Sequence, residues 1–144
     1  MKEILKFNIE KLKRAVKLIE TLLNKLKPFP LKGSYTSDEL EPYDALSGRF
    51  IRAVEVCIKT FRSYEFYMFG EVSQTFRDLL NNMAKLDIIS DIDLWFEMRN
   101  VRNRIVHDYL PEKIKEIYDD IMFKYSKELI KVKEKFENIL NNIK

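Results

Sequence analysis

The sequence predicts an all-α fold, an antiparallel helical bundle of about five helices with long first and last helices. Three observations predict it. Apolar residues recur every three or four positions along most of the 144 residues. Hydrophobic residues form 46% of the chain and charged residues 34%, which is enough apolar material for a sizeable core. The three glycines and four prolines are too few for the many tight turns of a β-sandwich or barrel.

Length and composition also limit the class of protein. The length fits one domain, residues 1–144. No apolar run reaches the roughly 18 residues of a transmembrane helix, and the N-terminus lacks the apolar region of a secretory signal. The single Cys57 and the single His107 exclude a disulfide framework and a multi-His or multi-Cys metal site within one subunit. We therefore expect a cytoplasmic protein with no resident metal or cofactor and no membrane partner.

The first predicted helix ends at a pair of prolines. Its apolar stripe consists of Leu5, Leu12, Val16, Ile19, Leu23 and Leu26. Pro28 and Pro30 remove backbone donors and restrict the residues before them, so residues 28–37 are predicted to form a loop. Ser37 or Asp38 is the expected N-cap of the next helix, and Glu41 is placed to complete a capping box on Asp38.

Two shorter helices are predicted after the second one. The second helix is expected over residues 43–67, with Gly70 marking a break. The third is expected over residues 72–86. Ser90 or Asp91 is the expected cap of a fourth helix, which runs to about His107.

The last predicted helix is long. Residues 108–110 form a link, and Pro111 suits the first position of the helix. Its apolar stripe consists of Tyr118, Met122, Tyr125, Leu129, Val132, Phe136, Ile139 and Ile143. Thirty-odd residues span about 50 Å, so this helix can pair along the whole first helix.

The residues suited to chemistry lie in one stretch, residues 95–109. It contains the only Trp and the only His of the chain, together with three arginines and two asparagines. An imidazole can transfer protons near neutral pH. A guanidinium can bind a phosphate through two hydrogen bonds and stabilise developing charge. This combination is suited to a phosphodiester substrate.

Helix geometry limits how Arg102 and His107 can cooperate. Five residues turn through roughly 140° on an ideal helix, so the two side chains converge only if His107 lies at a frayed helix end. Cleavage of RNA by concerted acid–base catalysis calls for two proton-transferring groups, and one chain offers one histidine. A homodimer with a two-fold axis would bring two copies to a shared cleft. A His-dependent nuclease built from this chain is therefore expected to be a homodimer with a composite site.

Ordinary structural roles compete with this hypothesis. A lone histidine near a helix C-terminus often only interacts with the helix dipole, and arginine-rich helices are often solvated faces. Arg99 and Arg104 could contact RNA phosphates or form salt bridges with Glu97 or Asp108. By itself, Tyr109 would be interpreted as a packing residue or a surface hydroxyl.

The segment RNRIVHDY, residues 102–109, resembles the R-x4-H-x-Y motif of HEPN domains, and is most similar to the HepT-like branch. Only Arg102 has the motif's distance to His107. The resemblance implies a metal-independent ribonuclease that acts as a homodimer, with Arg102 and His107 as its centre and Asn103 in support. The helical bundle extends the resemblance over most of the chain.

The same resemblance implies a partner protein. HepT-like toxins are typically paired with a nucleotidyltransferase antitoxin of the MNT type, which transfers AMP from ATP to the motif tyrosine. By position, the acceptor in this chain would be Tyr109. AMP units next to Arg102 and His107 would add negative charge and bulk, and would block an RNA phosphate.

Two other functions are also compatible with the sequence. The chain could be a non-catalytic accessory subunit, similar to nucleotidyltransferase substrate-binding proteins, which share the bundle and pair with an MNT-type enzyme. It could also be a helical oligomerisation module with no site. The complete set of Arg102, His107 and Tyr109 favours the toxin.

Overall fold

The computed structural model describes residues 1–107 and 110–143, and every regular element in this part of the chain is helical. A π-helical turn, Asp120–Tyr125, joins the last two α-helices into one continuous rod. The α-helices are α1 (Lys2–Leu23), α2 (Ser37–Phe69), α3 (Phe76–Lys85), α4 (Ile92–His107), α5 (Pro111–Asp119) and α6 (Ser126–Asn142). The all-α prediction is confirmed.

Helix α1 lies antiparallel to both α2 and α6. Near its start, the Asn8 side-chain amide donates to the hydroxyl of Ser63, 2.6 Å away near the end of α2. Near its end, the Leu18 carbonyl accepts from Arg49 in the first half of α2, over 2.8 Å. On the other side of α1, Lys133 of α6 forms a 2.8 Å salt bridge with Glu20. The long first and last helices therefore pair as predicted, with α2 beside them.

The apolar stripes of the sequence form one hydrophobic core. Leu5, Leu12, Val16 and Ile19 are buried, whereas Leu23 and Leu26 at the end of the stripe are only partly buried. Aromatic rings fill the middle of the core: Trp95 packs edge-on against Phe61 with ring centroids 4.8 Å apart. Cys57 is completely buried there, and burial strongly raises the pKa of its thiol.

Helix α2 begins earlier than the sequence predicted, and its N-cap is Thr36. The Thr36 hydroxyl accepts from the backbone N–H of Glu39, and the Glu39 carboxylate accepts from the backbone N–H of Thr36. The predicted cap at Ser37 or Asp38 is therefore wrong by one or two residues. Pro42 lies inside the helix, where it removes one backbone donor without preventing the earlier start. The predicted break at Gly70 is confirmed, because Gly70 caps α2 with a φ of 70°.

A buried carboxylate determines where α3 starts. Glu65 of α2 is fully buried and accepts hydrogen bonds from the backbone N–H and the hydroxyl of Ser73 and from Asn82. These bonds hold the α2–α3 connection in a non-helical course, and Thr75 caps α3 instead. The predicted start at residue 72 is thus four residues early. Burial raises the pKa of Glu65, but the bonds from Ser73 and Asn82 outweigh burial and leave that pKa lowered.

In the described residues, no helix is long and apolar enough to span a membrane.

Candidate active site

Helix α4 carries the motif residues and is anchored by its buried side. Trp95, Met98 and Val101 face the core. The Trp95 indole N–H donates to the Glu128 carboxylate of α6 over 2.7 Å, and both side chains are buried. A carboxylate in the core needs such a partner, because an unpaired buried charge is costly. This contact fixes the rotation of α4 and so determines which of its residues face solvent.

The solvent side of α4 is a polar stripe of Asn100, Asn103 and His107. These residues are spaced by three and four positions, so they share one helix face, and all three are exposed. The Asn103 amide donates to the Asn100 side-chain oxygen over 3.0 Å. Asn100 was missing from the predicted site residues, although its spacing to Asn103 and His107 could have revealed it.

Arg102 lies away from this stripe, on the flank of α4 that faces α2. Its guanidinium is 3.8 Å from the Glu55 carboxylate, and 71% of its side chain is exposed. Helix α4 is regular through His107. Five residues then place Arg102 and His107 roughly 140° apart, so a frayed helix end does not bring them together within one chain.

Arg104 lies on the opposite flank and is held by the π-helical turn. Its Nη1 lies 3.3 Å from both the Asp120 carboxylate and the Tyr125 hydroxyl, and 24% of its side chain is exposed. The Tyr125 hydroxyl is also 3.4 Å from the Glu97 carboxylate. Burial, and secondarily the charges of Asp120 and Glu97, raise the pKa of Tyr125 to about 12. The salt bridge of Arg104 is with Asp120, whereas the sequence suggested Glu97 or Asp108 as its partner.

Arg99 lies over an aromatic pair. Its guanidinium carbon is 4.0 Å from the ring centroid of Phe76 and 5.6 Å from that of Phe96. Arg99 remains exposed, and it lines an open groove along α4 with Phe96, Glu97, Asn100 and Asn103. The cation of Arg99 favours an anionic ligand in this groove, and the carboxylate of Glu97 opposes one.

Tyr109, the predicted AMP acceptor, and Asp108 lie outside the described residues. Within the described residues, no group of three or more His, Cys, Asp or Glu side chains comes together that could hold a metal ion.

The candidate site consists of Arg99, Arg102, Asn103 and His107 on the exposed surface of α4. The structure adds Asn100 to this set, and Arg104 lies beside it in its salt bridge with Asp120.

Comparisons with known proteins identify the class of fold. The chain has the HepT-like HEPN fold. It superposes on a chain in the crystal structure of a mutant of the toxin–antitoxin pair MntA–HpeT, with a TM-score of 0.69 and 20% sequence identity. The superposition covers 97% of this chain and 98% of that one.

The family follows from the sequence itself. Residues 7–138 match the family model described as nucleotidyltransferase substrate binding protein like, and the chain belongs to that family. The predicted resemblance to HepT-like proteins is thereby confirmed. No curated protein matches the sequence.

Proposed function

We propose that this protein is a HEPN-type toxin, a metal-independent endoribonuclease that cleaves tRNA or mRNA at a composite site in a homodimer. The observation that carries the proposal is the placement of the motif pair on α4. Arg102 and His107 are both exposed at the end of one regular helix, and they point to different sides of it. Among the described residues, the closest structural partner of these two groups is the Glu55 carboxylate, 3.8 Å from Arg102. Both groups are therefore available to a ligand.

The angle between the two side chains supports the dimer. A residue pair roughly 140° apart on one helix cannot grip one phosphate, but a two-fold axis beside α4 would place Arg102 of one protomer opposite His107 of the other. In such a cleft, His107 would transfer protons between the 2′-hydroxyl, the phosphate and the leaving oxygen. Arg102 would bind the phosphate and stabilise its developing charge. Asn103, on the same face as His107, would orient the substrate.

The partner would be a nucleotidyltransferase. The family description names such an enzyme, and the superposed chain comes from a toxin–antitoxin complex. The proposed antitoxin of the MNT type would transfer AMP from ATP to the hydroxyl of Tyr109 and release pyrophosphate. Tyr109 is two residues after His107 in the sequence. Negative charge at that position would repel RNA from Arg102 and would neutralise the toxin.

An accessory role is the second candidate. The family description specifies substrate binding and not hydrolysis. In that role the chain would bind the acceptor of a nucleotidyl transfer on the same face of α4, and it would cleave nothing.

A mixing experiment with two inactive variants tests the composite nuclease most directly. The intact mass of each protein is recorded first, so that AMP-modified chain is excluded, and total tRNA is then incubated with protein in EDTA. We expect Arg102→Ala and His107→Ala to be inactive separately. A refolded mixture of the two regains cleavage, because half of the composite sites in mixed dimers combine an intact Arg102 with an intact His107.

The controls separate the two candidate functions. Lys59→Ala, a charge removal on the middle of α2, should cleave like the wild type. Cleavage by the wild type without rescue in the mixture would contradict a site made of one Arg102 and one His107 from different protomers. It would fit a complete site in each chain or a shared cleft that needs both histidines. Absence of cleavage by unmodified wild type, on tRNA and on mRNA, would contradict the nuclease and favour the accessory subunit.

A further inference from the structure

A partly enclosed cavity lies directly beneath the end of the motif helix. Its volume is about 340 Å³, at the lower end of the range for small-ligand sites, about 300–1,000 Å³. Ile105 of α4 and Pro111 of α5 both line it. These two residues are two and four positions from His107 in the sequence, so the cavity lies at the same end of α4 as His107. Ile105 and His107 are about 200° apart on the helix, so the cavity and the His107 face lie on different sides of it.

The lining of the cavity is mostly apolar. Its aromatic members are Phe29, Tyr35 and Tyr118, and its aliphatic members include isoleucines of α4 and α5. The aromatic rings support each other, with the Phe29 centroid 4.9 Å from that of Tyr35 and 5.2 Å from that of Tyr118. An apolar cavity with aromatic residues in its lining suits a planar ring, since single-stranded bases commonly pack on aromatic side chains.

The loop over the cavity is held in place by hydrogen bonds. Lys115 of α5 donates to the Phe29 carbonyl over 3.1 Å. The Tyr35 hydroxyl donates to the Pro30 carbonyl over 2.6 Å and accepts from the backbone N–H of Lys32 over 2.9 Å. The cavity is therefore preformed, and a ligand entering it does not have to order the loop.

One charged group lies in this apolar lining, the exposed carboxylate of Asp44. Asp44 is close enough to Tyr118 that its charge, together with burial as the larger cause, raises the pKa of Tyr118 to about 12. The Tyr118 hydroxyl thus stays protonated and can both donate and accept a hydrogen bond, next to the Asp44 carboxylate as an acceptor. A carboxylate accepts two parallel hydrogen bonds, and guanine offers two adjacent donors, N1–H and the 2-amino group, on its Watson–Crick edge.

We infer that this cavity binds an unstacked guanine base, with Asp44 accepting from its Watson–Crick edge and the aromatic residues of the lining, of which Tyr35 is the partly exposed one, packing against its ring. The inference rests on the proposed function in one respect, because it assigns the base to the RNA strand whose phosphate would lie at Arg102 and His107. It gives the proposed nuclease a preference for cleavage beside guanosine.

Binding of free nucleosides tests the cavity separately from cleavage. Guanosine, inosine and uridine are titrated into the His107→Ala protein and followed by saturation-transfer NMR and calorimetry. Inosine differs from guanosine by the missing 2-amino group, so we expect guanosine to bind at least about tenfold more tightly than inosine or uridine, as for a two-donor contact to one base. Asp44→Asn should abolish that difference.

Two further variants provide the controls. Asp38→Asn removes the same charge from the first turn of α2, outside the cavity, and should bind guanosine like its parent. Gly33→Phe tests occupancy, because Gly33 lines the cavity and a Cβ there meets no atom within 4 Å, so a large side chain can be added at the rim without a clash. Binding of guanosine and inosine should both be lost in Gly33→Phe, while the melting temperature is kept.

The outcomes distinguish this inference from the proposed function. No guanosine binding, equal binding of guanosine and inosine, or an unchanged preference in Asp44→Asn would overturn the inference, even if the protein cleaves RNA through His107. If guanosine binding depends on Asp44 but the protein has no nuclease activity, the assignment of the cavity stands and the proposed nuclease function is contradicted. If both hold, cleavage products should end at guanosine in the wild type, and Asp44→Asn should lose that preference.

Discussion

The guanidinium of Arg104 donates to the hydroxyl of Tyr125 across 3.3 Å, and this contact fastens the motif helix to the π-helical turn. Asp120 and Tyr125 stand at the two ends of that turn, five residues apart. Five residues turn through more than one full circle in an α-helix, whereas a π-helix hydrogen-bonds residues i and i+5. The wider turn therefore directs both side chains toward Arg104.

Replacing Arg104 should lower the stability of the protein, whereas replacing Arg102 should abolish RNA cleavage and leave the stability nearly unchanged. Arg104→Ala removes a partly buried cation from two acceptors, so we expect the free energy of unfolding to fall by about 1–2 kcal/mol. Arg102→Ala breaks only an exposed 3.8 Å ion pair, so its cost should stay below about 0.5 kcal/mol, while RNA cleavage is lost. Urea unfolding and the tRNA assay on the same samples check both. Equal destabilisation by the two variants would contradict the assignment.

The buried pair of Trp95 and Glu128 predicts a rescue. Trp95→Phe removes the indole donor and leaves the Glu128 carboxylate unpaired in the core, which should cost about 2 kcal/mol or more. Adding Glu128→Met replaces that carboxylate by an apolar side chain of similar length, so the double variant should be more stable than Trp95→Phe alone. Chemical unfolding followed by circular dichroism measures this. A double variant less stable than Trp95→Phe would mean that the carboxylate is not destabilised by loss of the indole.

Glu65 should make the protein sensitive to acid. Its pKa is lowered in the folded state, so its contribution to stability is present above the ordinary carboxyl pKa of 4.5 and is lost as the pH falls through the folded-state value. Glu65→Gln should be less stable than the wild type at pH 7, and the gap should shrink below pH 4.5. Glu71→Gln, an exposed carboxylate in the α2–α3 connection, is the control and should follow the wild type. A constant gap at every pH would argue against this role.

The N-cap of α2 offers a test at single-residue resolution. Thr36→Ala removes the hydroxyl that caps the helix and should cost about 1 kcal/mol. Ser37→Ala, one residue later, removes an exposed hydroxyl inside the first turn and should change stability by less than about 0.5 kcal/mol. Thermal unfolding of the two variants decides between the cap observed here and Ser37, one of the two caps that the sequence predicted.

The sequence by itself determined the class of fold and indicated which residues to propose as the site. Apolar residues spaced by three and four positions can form a single stripe only on a helix, so stripes such as Leu5–Ile19 and Leu129–Phe136 predicted the helices that form the core. Gly70 and Pro111 marked helix boundaries correctly, because their backbone restrictions are local. The R-x4-H-x-Y spacing singled out Arg102 and His107 through the resemblance to a family motif, and both residues lie on α4.

Only the tertiary structure decided what each side chain of α4 faces. The rotation of α4 depends on the Trp95–Glu128 bond, whose partners are 33 residues apart. The engagement of Arg104 depends on a π-helical turn that the apolar period of residues 118–143 did not reveal, and the start of α3 depends on Glu65, which reaches Ser73 and Asn82 across a connection. The cavity beside Asp44 likewise needs α2, α4, α5 and the loop before α2 together. Such contacts form between distant segments after packing, so no local pattern encodes them.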